Sequence, residues 1–289
     1  VMKKNGLTLI DPTGVEETAI VTCTDAPHSL GVQDYLFLTI KSPALLPSLQ
    51  AIKPLIGKDT TIITCMNGIP HWYFHKLDNK YANYKIKCLD PNLLIDTILP
   101  PDNIVGSVVY PACAIVKPGT IKHISGNRFS LGEPEGSESD RLQFISDILK
   151  RAGFRAPIQK NIRDEIWLKL IGNLSFNPIS ALTGATLEQI CNDQGTEAIV
   201  RAMMTEAKII AEELGAKINM SIEKRIDGAR KVGAHKTSML QDIEAGKPIE
   251  IDSIIIAVKE LGELTCSPTP YIDTILNLTL QKAKIIGCL

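Results

Sequence analysis

Apolar and polar positions divide the chain into two halves with different periodicities. The first half alternates short β-branched runs, at residues 18–22, 35–40 and 60–65, with turns and a helical stretch at 44–52. The runs at 35–40 and 60–65 are continuously apolar, as strands buried on both faces are. A strand, a helix and a strand in this order predict a parallel pair with a right-handed crossover. We therefore expect an α/β fold for this half.

Further runs at 104–110, 121–125 and 128–131, with turns at 117–119 and 126–127, predict an antiparallel extension of the sheet, and a helix at 139–152 follows. Beyond Asn161 the pattern becomes helical, with predicted helices at 164–177, 196–214, 222–232, 238–245, 253–264 and 271–286. The sequence thus predicts an α/β domain over residues 1–158 and an all-helical domain over residues 159–289.

A polar stripe interrupts the first predicted helix of the second domain. Lys169, Asn173 and Asn177 recur at every fourth position, which places them on one helix face framed by apolar residues. Asn is a poor helix former, so the stripe indicates either a ligand site or a polar face that is exposed or internally satisfied. A lysine desolvated by apolar neighbours can pass its proton to a carbonyl oxygen that becomes an alkoxide. Pro178 is expected to end the helix.

A second polar group lies at residues 235–252. Ser238 begins a predicted helix, Gly246 ends it, and Glu250 comes just before the next helix. Helix capping by Thr237 or Ser238 is an equally good explanation of the hydroxyl groups. Glu250 is harder to explain structurally, because it stands between two isoleucines and ahead of an apolar run. We therefore treat Glu250 as a candidate site residue.

Composition narrows the classes of partner. The chain has 31 Lys and Arg against 32 Asp and Glu, without a run of like charge, so we expect small-molecule partners and neither nucleic acid nor a membrane surface. Its 7 scattered cysteines indicate a reducing cytoplasm. No apolar stretch approaches the roughly 20 residues of a membrane helix. His71 and His75 have no third ligand in register, so no metal site is predicted.

The glycine motif of nucleotide-binding α/β domains, Gly-x-Gly-x-x-Gly, does not occur in the chain. We therefore expect Val1 to lie downstream of the first strand, the glycine loop and the first helix of such a domain. Lys41 and Asn67 follow the runs at 35–40 and 60–65, and ligands of open α/β sheets bind outside the carboxyl ends of strands. Taken singly, an exposed lysine and an Asn-Gly turn explain them as well.

Together these features resemble the ketopantoate reductase (2-dehydropantoate 2-reductase) family. The resemblance covers essentially the whole chain in the right order, and the motif set is specific although each piece alone is weak. The residues that carry it are Lys41, Asn67-Gly68-Ile69, the stripe of Lys169, Asn173 and Asn177 with Pro178, residues 181–184, residues 237–242, and Glu250-Ile251-Asp252.

The resemblance implies an NADPH-dependent reduction of 2-dehydropantoate, a 2-keto acid, to (R)-pantoate in the pathway to pantothenate and coenzyme A. The implied fold is an N-terminally truncated Rossmann-like domain followed by a helical domain of the 6-phosphogluconate dehydrogenase C-terminal type. By similarity, Lys169 is the proton donor. The implied substrate ligands are Asn67, Asn173, Asn177 and Ser238, and the implied cofactor contacts are Lys41, Asn67, Ala112 and Glu250. A homodimer is compatible with this interpretation.

Two other functions remain open at this point. A related 3-hydroxyacid dehydrogenase would also carry a Lys-x-x-x-Asn pair on the first helix after its nucleotide domain, although the region from Ser238 to Glu250 favours ketopantoate reductase. A non-catalytic fragment or interaction module is the third hypothesis, because the chain lacks the phosphate-binding loop.

Overall fold

The structure is a computed structural model that describes residues 1–289. The chain forms two compact units. The first, which we call the sheet unit, comprises Val1–Leu38, Ser48–Cys65 and Ile98–Ile162. The second, the helical unit, comprises Thr39–Pro47, Met66–Thr97 and Arg163–Leu289. Two segments from the first half of the sequence therefore belong to the helical unit, and the domain boundary at 158/159 stays a prediction.

Strands occur in the sheet unit and form two four-stranded sheets. Their bounds are β1 Leu7–Ile10, β2 Glu16–Ala19, β3 Tyr35–Leu38, β4 Thr61–Thr64, β5 Ile104–Val109, β6 Ala112–Lys117, β7 Thr120–Ser125 and β8 Phe129–Gly132. The main sheet has the order β3-β4-β5-β8. Strands β3, β4 and β5 are parallel, and β8 pairs antiparallel with β5. The predicted parallel pair is confirmed, with Tyr35 opposite Thr61.

Burial corrects the prediction that both central runs are covered on two faces. Strand β4 is buried throughout, but Tyr35 and Phe37 of β3 are exposed. The reason is position, because β3 is the edge strand of the main sheet whereas β4 lies between two neighbours. A continuous apolar run therefore does not by itself distinguish a central strand from an edge strand.

The second sheet corrects two further expectations. Its order is β2-β1-β7-β6, so the run at 18–22 overlaps only the end of an exposed strand, β2, that pairs antiparallel with β1. The expected single antiparallel extension is divided: β8 joins the main sheet, while β6 and β7 form a hairpin in the second sheet. Gly119 turns this hairpin with a φ of +80°, a backbone conformation that glycine tolerates best.

The core of the sheet unit lies between the main sheet and one amphipathic helix, α4, which spans Asp140–Arg151. Leu142, Ile145 and Leu149 lie on one face of α4 and pack against Ile63, Val105 and Leu131 of the strands. The predicted helix at 139–152 is thus confirmed, and Ser139 caps it by accepting a hydrogen bond from the Leu142 N–H.

The second half of the chain is helical, as predicted. The remaining helices are α1 Met2–Asn5, α2 Leu45–Ile52, α3 Leu94–Ile98, α5 Ile162–Thr183, α6 Leu187–Asn192, α7 Gln194–Glu213, α8 Ile222–Val232, α9 Ser238–Glu244, α10 Ala257–Thr265 and α11 Pro270–Ile286, with a π-helical turn at Asp252–Ile256 before α10. Helix α7 packs against α6, α8, α10 and α11. No helix combines the length and the hydropathy that a membrane span requires.

The prediction that Pro178 ends its helix is wrong. Helix α5 continues through Pro178 to Thr183, and Gly184, with a φ of +76°, follows its end. A proline inside a helix costs about 3 kcal/mol because it removes a hydrogen bond and crowds the preceding turn. Here Ile179, Ser180 and Ala181 are all buried, and burial of this last turn offsets the cost.

The segment 66–97 joins the helical unit through buried aromatic side chains. Trp167 of α5 donates its indole N–H to the Tyr73 hydroxyl at 2.7 Å, and Arg163 donates Nε–H to the Tyr73 carbonyl at 2.7 Å. Trp72, Tyr73 and Phe74 are almost completely buried. These contacts attach the segment directly to the helix that carries the polar stripe.

Glu260 on α10 holds the far part of the same segment. Its carboxylate accepts hydrogen bonds from the Tyr84 hydroxyl at 2.9 Å, the Lys87 N–H at 2.7 Å and the Cys88 N–H at 2.9 Å. Burial, followed by the hydrogen bond and the charge of Glu260, raises the pKa of Tyr84 to about 12. One carboxylate thus satisfies three donors in a stretch that has little regular structure of its own.

Glu260→Ala is expected to lower the free energy of unfolding by about 2–3 kcal/mol, because three donors lose a charged acceptor. The matched control is Glu263→Ala, one turn farther on, where an exposed pair with Lys259 is worth at most about 0.5 kcal/mol. Urea denaturation of both variants measures the difference. Equal effects of the two substitutions would contradict the anchoring role.

Candidate active site

The polar stripe of α5 lies within the helical unit, and its three side chains are buried to different extents. Lys169 and Asn173 are half-buried, and Asn177 is only 5% exposed. The stripe could also have been a polar face exposed to solvent, and the burial of Asn177 excludes this explanation for that residue. Asn173 makes no side-chain hydrogen bond, so its amide remains available to a ligand.

Asn67 connects the stripe to Glu250. The Lys169 ammonium donates to Asn67 Oδ1 at 2.7 Å, and Asn67 Nδ2 donates to Glu250 Oε2 at 3.1 Å. A side-chain amide presents an acceptor on one side and donors on the other, so only one orientation suits a cation on one side and an anion on the other. We call this arrangement the Lys169–Asn67–Glu250 chain.

Glu250 is a carboxylate only 5% exposed that the surrounding residues keep satisfied. Besides Asn67 it accepts the Ser42 backbone N–H, at 3.4 Å to Oε1. Buried charges persist where hydrogen bonds replace lost water, and Ile249 and Ile251 on either side are buried. The alternation that made Glu250 conspicuous in the sequence therefore reflects a polar group held within an apolar segment.

Lys41 and helix α9 form a neighbouring charged group. The Lys41 ammonium contacts the Asp242 carboxylate, which lies on α9 and is largely buried. The N-cap of α9 is Thr237, whose hydroxyl accepts the Leu240 N–H at 3.3 Å. Capping therefore accounts for Thr237, while Ser238, the first residue of the helix, is exposed and does not take part in the cap.

Three buried polar atoms on α5 and in the π-helical turn have no hydrogen-bond partner. They are Ser175 Oγ, Asn177 Nδ2 and Ser253 Oγ. A buried unpaired donor costs about 1–3 kcal/mol, so such atoms are rare unless a ligand or ordered water satisfies them. Asn177 Nδ2 is the unpaired donor at the end of the stripe.

Sequence reasoning did not single out Ser253, Gly68 or Asp242 as individual site residues. Asp242 and Gly68 stand out in the sequence only as parts of longer motifs. Ser253 is marked by nothing in the residue pattern except its place three residues after Glu250. The structural signal is the π-helical turn at Asp252–Ile256, a geometry that is frequent at functional sites.

The structure therefore brings Asn67, Lys169 and Glu250 into one set of contacts within the helical unit. Lys41 pairs instead with Asp242, and its neighbour Ser42 donates its backbone N–H to Glu250. Ala112 belongs to the sheet unit, where it begins β6 and pairs with Ser125. The roles assigned to these residues, as proton donor, substrate ligands and cofactor contacts, stay predictions.

A Rossmann-like sheet unit, together with a helical unit whose first long helix carries a lysine among amide groups, is the architecture of two-domain, nucleotide-dependent oxidoreductases. Family models agree: the ketopantoate reductase PanE/ApbA model matches residues 1–136, and the ketopantoate reductase PanE/ApbA C-terminal model matches residues 161–283.

Comparison of the chain with individual proteins points to one family within this class. The chain is 47% identical to a 2-dehydropantoate 2-reductase of Mesorhizobium japonicum over 99% of its own length and 88% of the relative. It is similar to a crystal structure from Ralstonia solanacearum MolK2 described as a ketopantoate reductase, with a TM-score of 0.95, 38% identity, and coverage of 100% and 88% of the two chains.

A D-mandelate dehydrogenase solved with NADH and anilino(oxo)acetate shares the fold, with a TM-score of 0.82, 22% identity, and coverage of 100% and 88%. The protein belongs to the ketopantoate reductase family.

Asn67→Leu is expected to lower the free energy of unfolding by about 1–3 kcal/mol, because it removes the acceptor for Lys169 and a donor to buried Glu250. The matched control, Asn173→Leu, replaces a half-buried amide without a side-chain hydrogen bond and should cost far less. Urea denaturation near pH 7 compares them. Equal losses would show that the Lys169–Asn67–Glu250 chain does not stabilise the fold.

Proposed function

We propose that this protein reduces 2-dehydropantoate to (R)-pantoate with NADPH, in the pathway to pantothenate and coenzyme A. The observation that carries the proposal is the Lys169–Asn67–Glu250 chain, an ammonium held by an amide beside a helix stripe of further amides. The 47% identical relative that is named 2-dehydropantoate 2-reductase supports this choice of substrate.

The donor set of the helical unit fits a nicotinamide dinucleotide. The Lys41 side chain is 46% exposed, so its ammonium can meet a phosphate, and the Glu250 carboxylate can accept a hydrogen bond from a ribose hydroxyl. Lys41, Asn67 and Glu250 are the proposed contacts from this unit, and Ala112 of the sheet unit is a further contact that the family resemblance implies. The bound cofactor supplies the hydride. The preference for NADPH over NADH rests on the family resemblance.

The protein's own contribution is the proton and the orientation of the keto acid. As the substrate carbonyl becomes an alkoxide, Lys169 Nζ donates a proton to its oxygen, and solvent later returns a proton to the amine. Asn67 Oδ1 fixes the direction of the Lys169 ammonium beforehand, at 2.7 Å. Asn67, Asn173, Asn177 and Ser238 bind the polar groups of the substrate, and Asn177 Nδ2 gains the partner that it lacks.

Lys169→Ala is expected to lower kcat by about 10²- to 10⁴-fold, because general acid catalysis contributes an effect of this size. The control is Lys259→Ala, which removes a surface lysine of α10 paired with Glu263 and should leave turnover unchanged. Loss of NADPH absorbance with 2-dehydropantoate measures kcat, and the melting temperature reports folding. A near-normal kcat for Lys169→Ala would disprove its assignment as the acid.

The same assay separates the alternatives. Oxidation of a 3-hydroxy acid without reduction of 2-dehydropantoate would favour the related dehydrogenase. Titration with NADPH or NADH, followed by nicotinamide fluorescence, tests cofactor binding and preference directly. Binding at micromolar concentration contradicts the hypothesis of a non-catalytic module, whereas absence of binding would support that hypothesis.

A homodimer is the second part of the proposal, and it rests on helix α11. Tyr271, Leu278 and Ile285 are exposed at a spacing of seven residues, which places them on one face of the helix. The groove between α11 and the helices α5 and α7 is lined mainly by apolar side chains. A second copy of the same face would bury this stripe, as isologous interfaces do.

Leu278→Glu should shift the protein from dimer to monomer, because a charge in a self-complementary apolar stripe meets its own copy across the two-fold axis. Asn277→Glu, at the neighbouring exposed position, adds the same charge outside the stripe and should leave the assembly intact. Light scattering after size-exclusion chromatography measures the mass. A monomeric wild-type protein would refute the dimer and leave the reductase proposal untouched.

A further inference from the structure

The loop that carries Asn67 rests directly on the π-helical turn at Asp252–Ile256. The Ile69 backbone N–H donates to the Ser253 carbonyl at 2.8 Å. Both residues are buried, at 1% and 2% exposure. This hydrogen bond fixes the chain two residues after Asn67 against a segment that is remote in sequence.

Gly68 allows this close approach. A Cβ at residue 68 would lie 2.4 Å from the Ser253 carbonyl oxygen and 2.5 Å from its carbonyl carbon, closer than any side chain tolerates. The φ of Gly68 is +87°, in the left-handed region that favours glycine. Because the obstacle is backbone rather than a flexible side chain, no rearrangement of Ser253's rotamer would make room.

The π-helical turn and the residues just before it supply two hydrogen-bond partners to the loop that carries Asn67. Ala257 N–H donates to the Asp252 carbonyl five residues earlier, which is the π-helical pattern, and the Ser253 carbonyl accepts from the loop. Glu250, two residues before the turn, binds the Asn67 side chain. Backbone and side chain of the Asn67 loop are therefore both held by residues 250–253.

We propose that Gly68 and the π-helical turn at Ser253 are positioning elements that set the Asn67 amide between Lys169 and Glu250. Gly68 touches neither substrate nor cofactor in this proposal; it acts through Asn67. A methyl group at residue 68 would push the loop away from Ser253 and move the Asn67 acceptor away from the Lys169 ammonium. The inference rests on the proposed reductase function only where kcat for 2-dehydropantoate is used to test it.

The test compares Gly68→Ala with Gly153→Ala. Gly153 has the same φ of +87° but meets nothing within 4 Å of its Cβ position, so it reproduces the backbone strain without the collision. We expect Gly68→Ala to lower kcat for 2-dehydropantoate by about 10- to 100-fold, as ångström-scale misplacement of catalytic groups does. Gly153→Ala should lower the melting temperature by less, because only the backbone strain remains, and it should leave kcat unchanged.

A double-mutant cycle distinguishes positioning from general damage. If Gly68 acts through Asn67, Gly68→Ala should lower kcat little further in an Asn67→Ala background. Multiplication of the two kcat effects in the double variant would overturn the proposal, and so would an unchanged kcat in Gly68→Ala alone.

Hydrogen exchange of the Ile69 amide supplies a readout that needs no activity. Protection of this amide should fall at least tenfold in Gly68→Ala and stay the same in Gly153→Ala. Unchanged protection in Gly68→Ala would overturn the docking of the loop. If the wild-type enzyme fails to reduce 2-dehydropantoate, the proposed function fails, and the exchange measurement alone decides the inference.

Discussion

The helical unit depends on one neutral amide that separates two opposite charges. Asn67 accepts from Lys169 and donates to Glu250, so it satisfies a cation and a buried anion at once. A direct contact between the two charges would require each to give up its remaining water, which buried pairs seldom recover. The amide keeps both groups oriented, and its Oδ1 gives the Lys169 ammonium a fixed acceptor.

The position of that amide follows from contacts far from it in sequence. The segment 66–97 has little regular structure, and it is held by Trp167 and Arg163 of α5 at one end and by Glu260 of α10 at the other. The same helix, α5, carries Lys169, so the anchoring contacts and the polar stripe share one rigid element. Small displacements of the loop are therefore opposed by a buried aromatic core.

Helix α5 shows how burial can override the local conformational preference of the sequence. Residue pattern alone places a helix end at Pro178, because proline removes a donor and restricts the preceding residue. The structure continues the helix to Thr183, and Asn177 retains helical geometry with its Nδ2 buried and unpaired. If the helix ended at Asn177, its last turn would fray, and the Asn177 amide would not be held in this buried position.

The sequence by itself determined the division into an α/β half and a helical half, and most helix bounds in the second half, because periodicity and local chemistry are properties of neighbouring residues. For the same reason it indicated the candidate residues Lys169, Asn173, Asn177, Ser238 and Glu250. It could not place β3 at an edge, divide the antiparallel strands between two sheets, or connect Asn67 with Glu250 across 183 positions. Those facts depend on which distant segments pack together, and only the tertiary structure decides them. The docking of Gly68 on Ser253 is of the same kind, because a steric limit between two backbones leaves no periodic signal in either segment.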